Sequence, residues 1–338
     1  MKALFSILFL VIILAMGAAA AGWIWFNDAV TRAGPAGADT VFQVDRGESL
    51  VSVADRLETR GVIPDARLMR LKARLEGVET DIKAGEFELP ARASIAGILA
   101  RLVEGDTVQY RITIPEGLTT AQALRIIAAN EVLTGDLPDP EPAEGALLPD
   151  TYLFTRGTSR ADLAARMADA QDDLLDELWP ERAADTPVTS REDAIILASV
   201  VQKEAGSLEE IDLVAGVFTN RLERGIPLQS DPTVIYGVSR GEPLYNQRGE
   251  RRTLYRSELD RETPWNTYLI PGLPETPICN PGRAAISAVL NPAETDYIFF
   301  VADGTGGHAF AETLAEHNRN VAAYRRYEAE EIARERAE

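Results

Sequence analysis

The sequence predicts a mixed α+β protein behind a single membrane-spanning helix, and three observations carry that expectation. Residues 3–26 contain no charged side chain. Short alternating stretches, such as Val41-Phe-Gln-Val44 and Tyr110-Arg-Ile-Thr-Ile114, are interleaved with apolar residues at helical spacing. The stretch Ile195-Ile-Leu-Ala-Ser-Val-Val-Gln-Lys-Glu-Ala-Gly206 reads as a central helix with one acid on its apolar side. Composition narrows the function further. A formal charge of −19 without a basic block argues against nucleic-acid binding. Two histidines and one cysteine leave no material for a His- or Cys-rich metal site or an internal disulfide. Neither a metal nor another cofactor is expected.

Residues 3–26 span roughly 36 Å as a helix, enough to cross a bilayer core of about 30 Å. Lys2 precedes the run and Asp28 follows it, so the positive-inside bias puts the N-terminus in the cytoplasm. Ala18–Ala21 supplies small residues of the signal-peptidase type, the competing reading. Trp23 and Trp25 extend the apolar run and favour an uncleaved anchor, residues 1–27. Residues 28–40, with Gly34, Pro35 and Gly37, read as a flexible linker.

The next fold is expected over residues 41–108. A strand at 41–44 precedes a helix capped by Ser49 with Leu50, Val53 and Leu57 on one face. A second helix runs from Ala66 to Leu75, a strand covers 84–89 and a short helix Ile95–Leu102. The strand, Gly-Glu-Ser-Leu turn and helix resemble a LysM glycan-binding module with an added helix. A generic small α+β domain explains the same residues.

A second domain is expected over 109–326. Strand 110–114 leads through Pro115-Glu-Gly117 to a helix capped by Thr119 or Thr120 and ending near Ala129. Residues 133–144 are rich in Pro and acids and read as a surface loop. The apolar segment 145–154, interrupted by Pro149 and Asp150, is a candidate site lining. A long amphipathic helix covers 160–178. Ser190 caps the central helix, in which Leu197, Val200 and Val201 precede Glu204 by seven, four and three positions. That spacing stacks all four on one face, so Glu204 points toward the protein. Burial and the negative end of the helix dipole both favour its protonated form, as a general acid needs. A half-buried structural glutamate would show the same pattern. Gly206 is a helix stop, and Ser207-Leu-Glu-Glu210 reads as a capping box for a helix with Ile211, Val214, Ala215, Phe218 and Leu222 on its inner face. Glu204 then sits at the corner of a helical hairpin. Asp231-Pro232 starts another helix, and the loops 263–282 carry Trp, Tyr and Asn suited to a saccharide, though turn chemistry also explains them. A helix over 284–290, a hairpin of 297–301 with 308–311 around Asp303-Gly-Thr-Gly-Gly307, and a helix from Leu314 follow. Residues 327–338 read as a polar, fraying tail.

Together, Pro115-Glu-Gly117, Leu148-Pro-Asp-Thr-Tyr152, Leu197-Ala-Ser-Val-Val-Gln-Lys-Glu204, Leu228-Gln-Ser-Asp-Pro-Thr233, Trp265-Asn-Thr-Tyr268, Asn280-Pro-Gly282 and Phe310-Ala-Glu-Thr-Leu-Ala-Glu-His-Asn318 resemble the YceG-like endolytic murein transglycosylases (MltG). Gln202 and Trp265 depart from the family's usual acidic residue and Tyr. The resemblance implies a single-pass inner-membrane protein with a periplasmic catalytic domain. It implies peptidoglycan glycan strands as substrate, cut at the MurNAc–GlcNAc β-1,4 bond to leave 1,6-anhydroMurNAc ends. Glu204 aligns with the catalytic acid/base. Gln229, Ser230, Asp231, Thr233, Asn266 and Tyr268 are the expected substrate-binding set, and Asp231 also serves as a helix start. Peptidoglycan synthases are expected neighbours, with strand termination or trimming as the role. Two alternatives stay open: a hydrolytic muramidase using Glu204 and Asp231, and a non-catalytic glycan-binding scaffold.

Overall fold

The computed structural model describes residues 2–335; Met1, with the N-terminal amine, and tail residues 336–338 fall outside it. Two compact units result, one made of the chain up to Arg111 with Leu153–Thr158, the other of Ile112–Tyr152 with the chain from Ser159 on.

The first unit starts with α1 (Lys2–Thr31), which runs five residues past the end of the uncharged run, and Phe5–Thr31 within it is long and apolar enough to span a membrane. Side chains from Phe5 to Trp25 are exposed, whereas Phe26 and Val30 are buried in the unit's core. An apolar surface of this size is unfavourable in water and favourable in lipid. Strand β1 (Thr40–Val44) pairs antiparallel with β2 (Gly85–Leu89), placing Phe42 opposite Phe87. Between them lie α2 (Leu50–Thr59) and α3 (Ala66–Glu76), and α4 (Ile95–Glu104) follows β2. The caps are local chemistry: the Ser49, Asp65 and Ser94 side chains accept from Ser52 N, Arg67 N and Gly97 N. Residues 34–36, expected to be flexible, are pinned instead. Gly34 N donates to Arg92 O (3.0 Å) and Arg92 N to Ala36 O (2.8 Å), and a side chain at Gly34 would strike the Ala93 carbonyl.

Strand β3 (Tyr110–Thr113) pairs with β4 (Thr151–Phe154), and the division between units falls within both strands. The second unit holds α5 (Thr120–Ala129), α6 (Arg160–Leu178), α7 (Arg191–Glu204), α8 (Ile211–Glu223), α9 (Asp231–Ser239), the short α10 (Arg256–Leu259) and α11 (Arg283–Leu290). The hairpin β5 (Phe299–Ala302) with β6 (His308–Ala311) and then α12 (Leu314–Glu335) complete it. α12 carries regular helix as far as Glu335, into the residues expected to fray.

The core of this unit is α7, α8 and α11 packed on one another. Every residue of α7 from Ala194 to Val201 is buried, so the helix is covered on all sides rather than along one stripe. Ser190 and Asp193 form a reciprocal capping box at its start. Segment 145–154 becomes a packing and hydrogen-bonding element: Leu147 is buried, its N–H donates to Asn280 Oδ1 (2.9 Å), and Leu148 N donates to Met167 O (3.0 Å). The acidic loop before it ends inward, where Glu144 accepts from Thr120 N (2.7 Å) and Tyr236 OH (3.0 Å). Burial raises the Glu144 pKa.

Candidate active site

α7 ends at Glu204, with Ala205 as C-cap, and the chain turns through Gly206 and Ser207 toward α8. Gly206 does not stop the helix by adopting a left-handed conformation. It is glycine because the β5–β6 loop comes close: a Cβ there would meet the Gly306 carbonyl at 2.7 Å and the His308 ring at 3.5 Å. The expected Ser207–Glu210 capping box is also replaced. Ser207 makes no capping hydrogen bond, while Glu210 accepts from His308 N (2.7 Å) and pairs with His308 Nδ1 (2.9 Å). The glutamate follows the stronger partner, the imidazole with its amide, and in doing so fastens the β5–β6 hairpin to the start of α8. Gly206→Ala is expected to push these segments apart and lower kcat/KM by about 10–100-fold, which steady-state rates on purified substrate would show.

Glu204 is half-buried: its carboxyl opens on a cavity of about 580 Å³ but is enclosed by protein atoms. Desolvation raises its pKa to about 6; the nearby Ser230 hydroxyl and His308 oppose the shift, and the charge of Asp231 adds to it. Gln229, Asp231 and Tyr268 line the same cavity. The Tyr268 hydroxyl donates to Asp231 Oδ1 (2.7 Å), which fixes that carboxylate's orientation and, after burial, pushes the phenol's pKa upward.

The remaining expected site residues stand behind this wall. Ser230 is buried, and its Oγ has no hydrogen-bond partner of good geometry although it lies near enough to Glu204 to lower its pKa. Thr233 is fully buried; its hydroxyl donates to Ser230 O (2.6 Å) and bonds Thr267 Oγ1 (2.8 Å). Asn266 is fully buried too, donating to Leu259 O (2.9 Å) and Arg261 O (2.8 Å) and accepting from Tyr268 N (3.0 Å). Thr233 and Asn266 therefore do not reach the cavity. They hold Ser230 and Tyr268 in place, because their polar atoms are used up on backbone and neighbouring hydroxyls. Segment 145–154 does not line this cavity either.

Arg221, Phe299, Phe300 and His317 line the cavity as well, with Leu228, Val301 and Leu314, and the sequence reading named none of them as a site residue. Arg221 had a visible signal: it lies three residues after Phe218 on the inner stripe of α8, a charge on an apolar face like Glu204. His317 stacks on Phe299 at 5.0 Å between ring centroids, and burial lowers its pKa. Gln229 has φ of 56°, in the left-handed region. That strain is held by its N–H on Thr267 O (3.0 Å) and by Arg221 on its Oε1 (2.5 Å).

Comparison with known proteins adds to this geometry. The YceG-like family matches residues 42–323. An endolytic murein transglycosylase of Bacillus subtilis is 28% identical over 312 residues, covering 83% of this chain and 83% of its own. One from Streptococcus pneumoniae is 28% identical over 323 residues, and the match covers 83% of this chain but only 57% of the relative. The crystal structure of a YceG-like protein from Listeria monocytogenes superposes with a TM-score of 0.50 at 27% identity, over 83% of this chain and 98% of that one.

Proposed function

The chain belongs to the YceG-like family, and from that membership and the geometry at Glu204 we propose that it is an endolytic peptidoglycan lytic transglycosylase. The supporting observation is a single one: a carboxyl at the end of a buried helix, open to a cavity lined by both polar and apolar side chains and desolvated so that its pKa rises to about 6. Glu204 protonates the oxygen of the MurNAc–GlcNAc bond, the C1–O bond breaks, and positive charge develops on the muramyl ring. The ring's own C6 hydroxyl then attacks C1 and returns its proton to Glu204. One carboxylate serves twice, water is not consumed, and the product ends in 1,6-anhydroMurNAc. Such acid–base help is worth about 10²–10⁴-fold. In this reading Asp231, which accepts from Tyr268 in the same cavity, stabilises the developing cation.

Asp231 also supports a second reading, a muramidase in which it activates water or attacks the sugar. Digesting purified peptidoglycan with the full-length protein in detergent separates the two by product mass. Internal fragments ending in anhydro sugar support the lyase; ends carrying an added water would replace it with the hydrolase. The full chain is the right material, because Phe26 and Val30 of α1 belong to the first unit's core.

In this reading α1 is the single inner-membrane anchor, with the N-terminus cytoplasmic and the chain after α1 in the periplasm, beside synthases whose new strands it terminates or trims. The β1–α2–α3–β2 order with antiparallel strands supports a LysM-like, glycan-contacting first unit. The pKa of Glu204 also sets a pH dependence. A general acid must carry its proton, so kcat/KM falls with rising pH above about 6, toward tenfold per unit. Initial rates from mildly acidic to mildly alkaline pH check this, and a rate rising steadily through that range would contradict the assignment.

A further inference from the structure

Arg221 is 7% exposed and lines the cavity, yet among the described residues no carboxylate lies within ion-pair distance of it. Its bonds go to neutral acceptors: Nε donates to Pro227 O (2.9 Å), Nη1 to Ile298 O (3.1 Å) and Nη2 to Gln229 Oε1 (2.5 Å). A guanidinium has five N–H groups in a planar fork, so two remain for something else. Burying a cation without an anion is costly, and this chain has 53 acidic side chains from which to supply one. None is placed there. The rigid three-point clamp on Pro227, Ile298 and Gln229 instead holds the fork still in front of the cavity.

The reaction itself gives this cation no use at the bond being broken. The transition state carries positive charge on the sugar ring, which a neighbouring guanidinium would destabilise. Asp231 and His308 act electrostatically on Glu204, whereas Arg221 acts on Tyr268 and His317. Tyr268 lies within electrostatic reach of Glu204, Asp231 and Arg221.

Building on the murein reading, we propose that Arg221 is the receptor for a carboxylate of the substrate, carried on the peptide attached to the muramyl lactyl arm or, on a muramyl residue without peptide, on the lactyl group itself. The N-acetylated sugars are neutral, so these are the strand's anions. A fork-to-carboxylate pair fixes both distance and orientation, and it sets which sugar occupies the subsite next to Glu204. Arg221 is then a specificity residue that distinguishes muramyl strands from neutral β-1,4 glycans.

The test compares native strands with strands whose carboxyls have been converted to methylamides by carbodiimide coupling, using the full-length protein in detergent. Wild type is expected to cleave the native strands about 10–100-fold more efficiently. Arg221→Gln should lower cleavage of native strands to the amidated level and leave amidated strands within a few-fold of wild type. Arg221→Lys, which keeps the charge but not the fork, should show an intermediate ratio and serves if the glutamine variant does not fold. Equal cleavage of both substrates by wild type, or equal losses on both in the variants, would overturn the proposal and leave Arg221 a structural clamp. Amidase-stripped strands, in which hydrolysis frees a lactyl carboxylate as it removes the peptide, locate the anion: Arg221-dependent loss of cleavage relative to native strands places it on the peptide, and undiminished Arg221-dependent cleavage shows that the lactyl carboxylate serves as well. No anhydro product from native strands and wild type would overturn the transglycosylase reading itself, and this proposal with it.

Discussion

Glu204→Gln is expected to lower kcat by at least about 10²–10⁴-fold while leaving the protein as stable as wild type, or more so, at neutral and alkaline pH. The amide keeps the shape of the carboxyl and can neither give a proton to the glycosidic oxygen nor take one from the C6 hydroxyl. The stability half follows from the direction of the pKa shift. Burial raises the Glu204 pKa from 4.5 to about 6, so its favourable contribution to folding is fully present below the unfolded value and is lost as pH rises through the folded one. Above that window, ionised Glu204 costs the fold about 2 kcal/mol. Glutamine does not titrate, so thermal melts at about pH 8 should place the variant a few degrees above wild type, with the gap closing in acid. A glutamate kept for structure predicts the reverse: near-normal anhydro product and a lower melting temperature at every pH. Activity within a few-fold of wild type would end the assignment.

How much of this was legible beforehand depended on how local each feature is. The strand at 41–44, the caps at Ser49 and Ser190 and the apolar face leading to Glu204 are decided within a few residues, and the structure has them where the spacing put them. Features decided by distant partners were misread. Ser207 and Glu210 have the pattern of a capping box, but His308, far along the chain, takes the glutamate. Gly34 and Gly37 have the composition of a loose spacer, but Arg92 pins the segment around Gly34. Thr233 and Asn266 lie in the right motifs, and only the fold shows that their polar atoms are already bonded. Arg221 is the instructive omission, since the rule that singled out Glu204 on α7 applies equally to α8. What hid it is that a charged residue near a helix's last turn is ordinarily solvated; that this one faces inward depends on the arrival of the loop at Pro227 and of Ile298.

The second large effect is expected far from the chemistry, at Asn280→Ala. Asn280 is buried, and its side chain ties together segments that touch nowhere in sequence: Oδ1 accepts from Leu147 N (2.9 Å), and Nδ2 donates to Leu118 O (3.1 Å) and Thr120 Oγ1 (3.3 Å). Its main chain continues the junction, with Asn280 N donating to Leu118 O (2.8 Å) and Gly117 N to Asn280 O (3.0 Å). Alanine leaves the Leu147 N–H buried without an acceptor, at about 1–3 kcal/mol, and removes further bonds worth about 1 kcal/mol each. A total near 3 kcal/mol corresponds to a fall in melting temperature of roughly 10 °C for a unit of this size. Asn280→Asp is expected to be no rescue, because the atom facing the Leu118 carbonyl changes from donor to acceptor. Catalysis per folded molecule should stay within a few-fold of wild type at low temperature, since Asn280 does not line the cavity. Scanning calorimetry alongside rates on purified peptidoglycan reads both quantities. A variant that melts like wild type but has lost its activity would move Asn280 from the scaffold into the site.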